Sequence, residues 1–387
     1  MFQCTKEKYI LLNLVLLMYI ITHQLILAYD SEEDNYRNKR AISIDQDFKW
    51  TFPIKYYVNV GVNPTYVIQA TRYITSHTCI RFQRVYSLIN ATGLNFVSDQ
   101  GCFAFVGRVE INTTQEVAVG RGCSSQGWIQ HMIGHSLGLL HEETRPDRGK
   151  YVKIYRYNAR QNKLNDFLID IRNKVRTYNF KYDFGGLMHS NKTTRTKNGR
   201  KTIDPYNKNF YQTIGQKDNL SFNELKTLNY YYCNHKCPHK FKCDNRGYIN
   251  PNNCNVCKCP TNYSGYKCQL ITSSSIGCPR VYIRATERPK IIKIRGIKNC
   301  YHQIKTTRGF KIRMVLKNAN LPKGLNCKPN NGLEIKFFKD KTVSGNHFCG
   351  KRRNVVIRSR GYHVSFHYKG INKNHFIVLE HRRVRGL

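Results

Sequence analysis

Past its first thirty residues the sequence has no apolar run long enough to cross a bilayer, so no transmembrane helix is expected in the mature chain. Acidic residues are also scarce. Against 64 Lys and Arg there are 24 Asp and Glu, a formal net charge of +40. A surface that cationic draws polyanions by long-range Coulomb attraction. A compositional bias toward Lys, Asn, Ile and Tyr along the whole chain gives the same figure without a function behind it. No internal repeat is present, which excludes repeat architectures. At 387 residues the chain is longer than one ordinary domain, and two or three modules are expected.

The first thirty residues carry the one long apolar stretch. Lysines in MFQCTKEKYI precede LLNLVLLMYIITHQLILA, and the small residue Ala28 closes it, the layout of a secretory signal peptide over 1–28. The alternative, an uncleaved anchor, is disfavoured by Thr22, His23 and Gln24 inside the run. The mature protein is therefore expected to be secreted, where its polyanions are sulfated glycans and not nucleic acid. Fifteen cysteines agree with an oxidising compartment, and removing Cys4 with the signal leaves an even number. Sequons at Asn90, Asn112, Asn191, Asn219 and Asn262 are glycosylation candidates. The polar segment 29–40 ends in Arg37-Asn38-Lys39-Arg40, which suits a processing protease as a short propeptide or, uncut, is an exposed loop.

From Ala41 to Cys233 the hydrophobic period alternates. KYYVNV reads as a strand, NPTYVIQATRYITSHT as a helix and GCFAFVGRVEI as a strand, an α+β pattern. Ser124 or Ser125 can cap a helix through GWIQHMIGHSLGL that ends at Gly138. Seven cysteines then fall between Cys233 and Cys268, a small disulfide-stapled module. Thr272 to Ser275 reads as a linker. From Cys278 short alternating strands such as KIRMVLKN, LEIKFF and YHVSFHYKG point to a β-sandwich, with 27 Lys and Arg against 4 acids.

His131 and His135 stand one helical turn apart and can grip one ion, and Gly138 lets the chain leave the helix so that His141 swings back as a third ligand. Three imidazoles leave a fourth position open, as in catalytic zinc sites.

The string HxxxHxxGxxHExxRxDR over 131–148, with Met188 in GGLMHS downstream, resembles the astacin family of metzincin zinc metalloendopeptidases. The resemblance covers essentially the whole chain, in the layout of many nematode members. Cys257-Lys258-Cys259 is similar to the core of an EGF-like module, and Phe348-Cys349-Gly350 followed by YHVSFHY to a CUB domain. It implies an α+β metzincin domain over 41–233, an EGF-like module over 234–269, a linker over 270–277 and a β-sandwich CUB domain over 278–387. One Zn²⁺ would be held by His131, His135 and His141, above Met188 as the Met-turn. The implied disulfides are Cys79–Cys233, Cys102–Cys123, Cys237–Cys254, Cys243–Cys257, Cys259–Cys268, Cys278–Cys300 and Cys327–Cys349. Glu142 would accept an ion pair from the ammonium of Ala41 once the chain is cut after Arg40.

The departures from the family matter as much. After the first histidine the family has a glutamate that moves the proton of the attacking water; here Met132 cannot exchange protons, a loss of about 10²–10⁴ in rate. Where the family has a tyrosine two residues past the Met-turn methionine, this chain has Ser190. The propeptide is too short to match the family's zinc-covering segment, and the CUB region keeps too few carboxylates for calcium. The expectation is a secreted homologue that keeps zinc but is inactive or severely impaired, binding protein or peptide ligands in its cleft and matrix or receptors through its basic CUB domain. One alternative is an active metalloendopeptidase with Glu143 as substitute base. The other is a polyanion-binding matrix protein with structural zinc, whose Lys351-Arg352-Arg353 and Arg382-Arg383 runs suit sulfate groups.

Overall fold

The computed structural model describes residues 42–43, 49–88, 91–110, 112–169, 175–238, 241–324 and 326–386. The expected signal peptide, propeptide, Ala41 and Asn90 lie outside these residues. The first sheet has five strands: β1 (Ile54–Val58), β2 (Phe82–Arg84), β3 (Gly93–Ser98), β4 (Cys102–Ala104) and β5 (Thr114–Val119). Their order is β2-β1-β3-β5-β4, parallel except for β4, which pairs antiparallel with β5 and forms one edge. Strands β3 and β5 bury Leu94, Phe96, Val117 and Val119 in the sheet centre. Only the first three residues of the expected GCFAFVGRVEI strand after its glycine pair. At Gly107, φ 77°, the chain turns off and its N–H donates to His135 O at 2.8 Å, so the rest serves the second helix instead of the sheet.

Helix α1 (Pro64–His77) starts where Asn63 Oδ1 accepts from Thr65 N at 2.9 Å and proline occupies the first turn. Its buried stripe is Val67, Ala70, Thr71 and Ile74, the i, i+3, i+4, i+7 pattern of a face laid on a sheet. Helix α2 (Gln126–Ser136) packs against α1 and carries the first two histidines. Helix α3 (Phe222–Tyr232) opens on a capping box between Ser221 and Glu224.

Seven disulfides close, in the pairing implied above: Cys79–Cys233, Cys102–Cys123, Cys237–Cys254, Cys243–Cys257, Cys259–Cys268, Cys278–Cys300 and Cys327–Cys349. Three of them staple 237–268, where the strand ladders among the described residues are two residues long. A segment this small cannot bury enough apolar area to hold itself otherwise.

The last hundred residues are a two-sheet sandwich. Its strands are β6 (Tyr282–Arg284), β7 (Lys290–Arg295), β8 (Asn299–Lys305), β9 (Phe310–Asn320), β10 (Gly332–Lys336), β11 (Asn346–Phe348), β12 (Lys351–Arg358), β13 (His363–Lys369) and β14 (Phe376–Arg385). One sheet runs β6-β8-β13-β10-β11 and the other β7-β14-β9-β12. Their inner faces bury Ile304, Met314, Leu316, Phe366 and Leu379. This core continues into the histidine-bearing domain, where Phe210 packs on Phe337 and Phe338 with ring centroids 5.9 and 6.0 Å apart. Polar contacts fix the seam: Asp183 Oδ1 accepts from Ser344 N and Thr213 Oγ1 from His347 N, each at 3.0 Å.

One of the glycosylation candidates needs correcting. Asn262 is 3% exposed and has no room for a glycan. Asn219 is partly exposed, its Oδ1 accepting from Gln126 Nε2 and Gln130 Nε2 at 3.1 and 2.8 Å and its Nδ2 donating to Asp218 Oδ2 at 3.3 Å. Asn112 and Asn191 are exposed. Among the described residues no helix is long and apolar enough to cross a membrane.

Candidate metal centre

Ser125 caps α2 by accepting from Trp128 N at 3.4 Å, and the helix ends in a Schellman motif. Gly138 N donates to His135 O at 2.7 Å and Leu139 N to Gly134 O at 2.8 Å, with Gly138 at φ 97°. That left-handed glycine reverses the chain and brings His141 over the helix. Gly138→Ala places a Cβ in this conformation at a cost of about 1–2 kcal/mol. We expect a lower unfolding midpoint and weaker zinc retention in a chelator titration, since the strain is relieved only by moving His141.

The three Nε2 atoms form a triangle: His131 to His135 and His135 to His141 at 3.2 Å, His131 to His141 at 3.3 Å. Three nitrogens bound to one tetrahedral zinc at its usual bond length stand about 3.3–3.4 Å apart. Protonation points the same way. His131 Nδ1 lies 3.1 Å from Leu187 O and His135 Nδ1 2.9 Å from Leu139 O, and a carbonyl only accepts, so both hydrogens sit on Nδ1. Burial pushes the His135 pKa down to about 3, so these rings are neutral. Bare lone pairs then face one another across the triangle, an arrangement that repels unless a cation fills it. No other group of three or more His, Cys, Asp or Glu among the described residues offers such a donor set.

Met188 is 1% exposed and lies under the site, its Sδ close to where a Cβ on Gly134 would stand. Its turn is tied by Glu224, whose carboxylate accepts from Leu187 N at 3.0 Å, Met188 N at 2.7 Å and Ser221 N at 2.6 Å. One carboxylate thus caps α3 and orients the carbonyl that holds His131.

Glu142 is buried, accepting from Asp183 N at 2.8 Å and pairing with Arg145 Nη1 at 3.0 Å. Its expected partner Ala41 lies outside the described residues. The next residue, Ile42, is bridged to Leu139, at the end of the Schellman turn. Glu143 is 2% exposed, and its Oε2 accepts from Ser190 N at 3.0 Å while Oε1 stands 3.8 Å from His141 Nδ1. Burial opposes its charge, but His141, His189 and the Ser190 hydroxyl and N–H hold its pKa down to about 2. Glu143 therefore backs His141 and Ser190 and does not line the cleft.

The cleft, about 860 Å³, runs across the site. Met132 and Ser190 line it beside the three histidines. Three of its walls escaped the sequence reading: the apolar rim of Phe103 and Leu168, Lys217 and, from the sandwich, Asn326. Lys217 Nζ donates to Leu187 O at 2.6 Å and sits 5.0 Å from the Trp128 ring centroid, and burial pushes its pKa down to about 8. Asn326 Nδ2 donates to Gly215 O at 2.9 Å. Neither residue belongs to a local motif that points to the site.

Residues 43–233 match the profile of the astacin peptidase family. The chain belongs to the astacin family and is a zinc metalloprotease homologue. The zinc metalloproteinase nas-34 of Caenorhabditis elegans is 34% identical over 345 residues, 88% of this chain and 56% of that protein. The zinc metalloproteinase nas-23 of the same nematode is 31% identical over 337 residues, 83% of this chain and 61% of that one. The solved structure of high choriolytic enzyme 1, a hatching enzyme zinc-protease from Oryzias latipes, is 30% identical, covering 46% of this chain and 88% of its own at a TM-score of 0.41. The chain thus spans little more than half the length of these curated relatives. Astacin-family metalloproteases bind zinc, and the histidine triangle has the spacing and the lone pairs for it.

Proposed function

We propose that the protein is a secreted astacin homologue that retains zinc and a peptide-binding cleft but has lost efficient peptide hydrolysis, and acts by binding. The observation that carries this reading is Met132, a thioether lining the cleft between two metal-binding histidines where proton transfer is needed. Zinc, when bound, supplies Lewis-acid polarisation and an acidified water. The carboxylates nearest the site are both engaged elsewhere: Glu143 accepts from Ser190 N and faces His141 from behind, and Asp166 in the cleft wall is paired with Arg195 Nε at 2.7 Å. That arrangement disfavours Glu143 as a substitute base.

Binding is better supported. β4 is a sheet edge beside the cleft, so an extended peptide can add to it as a strand, with side chains set against Phe103 and Leu168. In this reading 234–269 is an EGF-like module and 278–387 a CUB domain, which three staples in the first and a two-sheet sandwich in the second support. The disulfides suit an extracellular setting.

The test uses the protein cut after Arg40 and loaded with zinc. We expect no chelator-sensitive casein hydrolysis above background, and a rise in unfolding midpoint on adding extended peptides. Chelator-sensitive cleavage would overturn the reading, and its loss in Glu143→Gln would assign the base to Glu143.

A further inference from the structure

The basic runs in the sequence do not form a patch. Within Lys351-Arg352-Arg353, Arg352 is turned toward the histidine-bearing domain and bonds Gln212. Within Arg382-Arg383, Arg383 donates to Glu287 Oε1 at 2.8 Å and lies over the Phe310 ring at 4.8 Å. The register of the second sandwich sheet builds a different array. Arg382 on β14 pairs directly with Arg313 on β9, and Arg313 pairs directly with Arg358 on β12. Directly paired residues share a face, so three guanidinium groups stand in one row across three strands, on the face opposite the buried Met314, Ile357 and His381.

Like charges directly opposite one another destabilise a sheet. Glu380 lies two residues along β14 on the same face and meets Arg313 at 3.7 Å, but it also pairs with Lys317 at 3.3 Å, so one carboxylate is shared between two cations. Arg358, at one end of the row, also lines a pocket of about 440 Å³ together with Lys311, Arg360 and Arg385, and none of the residues lining it is acidic. The histidine-bearing domain adds Asn207 and Asn209 to its wall, and Asn209 Nδ2 donates to Val356 O at 3.1 Å.

We propose that this row and pocket bind a linear sulfated glycan. Guanidinium groups take oxyanions in bidentate pairs, and a row of them suits successive sulfates or carboxylates on one chain. The residues flanking the row are aliphatic, Ile291, Val315, Val356 and Val384, and the ring in the pocket wall, Phe337, is only 3% exposed, so it offers no open face on which a nucleic-acid base would stack. The glycan is also the polyanion of the compartment that the disulfides indicate. This inference is independent of whether the cleft retains activity.

The experiment compares elution of the full secreted chain from immobilised heparin and from a plain sulfonate exchanger. Heparin is expected to hold it to higher salt. The triple variant Arg313→Ser, Arg358→Ser, Arg382→Ser should lower affinity for heparin oligosaccharides at least tenfold in physiological salt and keep or raise the unfolding midpoint, because it relieves the repulsion. A control with the same charge change on the histidine-bearing domain, Lys150→Ser, Lys197→Ser, Arg200→Ser, should retain heparin binding. Equal elution from both resins, or equal losses in both variants, overturns the proposal and leaves only bulk charge. Binding to duplex DNA or to anionic vesicles as tight as to heparin overturns the glycan as occupant. Should the triple variant fail to fold, Arg313→Ser alone must still weaken heparin binding for the proposal to stand.

Discussion

Met132→Glu is expected to raise zinc-dependent peptide hydrolysis by about 10²–10⁴ over the unaltered protein, the usual contribution of a positioned general base. Helix α2 already fixes the backbone at this position between His131 and His135, and the Met132 side chain already lines the cleft. A glutamate there inherits the helix geometry and needs no new fold. It also shares the cleft with Lys217, a cation that favours the carboxylate form. Zinc content should be unchanged, because neither carbonyl that orients His131 and His135 belongs to residue 132. Adding Ser190→Tyr should restore part of a further factor of about 10²–10³ for the missing donor to the developing oxyanion, short of full additivity because such groups act as a unit. Hydrolysis and zinc content of the two variants and the unaltered protein decide it. Zinc-loaded Met132→Glu with no gain would mean that the cleft itself is no longer arranged for the reaction.

Glu224→Ala carries the second large expectation, a loss of about 3–9 kcal/mol in folding stability, the sum over three donors left without an acceptor. Three N–H groups, on Leu187, Met188 and Ser221, donate to this carboxylate. An unsatisfied buried donor costs about 1–3 kcal/mol, and alanine can accept from none of them. Glu224→Gln keeps one acceptor oxygen and should fall between the two. Denaturant unfolding of the zinc-free proteins measures the loss. Zinc affinity should fall as well, because Leu187 O, which fixes the protonated Nδ1 of His131, sits on the turn that Glu224 ties down. Lost stability with unchanged zinc affinity would show that the turn keeps its shape without the carboxylate.

The helix that carries the metal ligands was legible because its signals are local. Ser125 before it and Gly138 after it set its ends through hydrogen bonds within a few residues. Strands β3 and β5 were not anticipated, since parallel strands in a sheet centre show no clear alternation and their partners lie tens of residues away. Glu143 illustrates the limit at the site. Sequence placed a carboxylate near His141, and only packing showed that it faces the rear of that ring and the Ser190 N–H.

By itself the sequence determined the chemistry available to this protein: three imidazoles at a metal-binding spacing, a thioether on the helix between the first two of them, and the large excess of cationic side chains. These follow from residue type and from spacings within a turn or two, where backbone geometry leaves little freedom. The tertiary structure alone decided which distant groups share a space. It brought Lys217 and Asn326 into the cleft and made Glu224 the tie of the Met188 turn. It also took Arg352 and Arg383 out of their sequence runs while aligning Arg313, Arg358 and Arg382. Strand register and domain docking set those neighbours, through contacts between segments whose separation along the chain carries no trace of them.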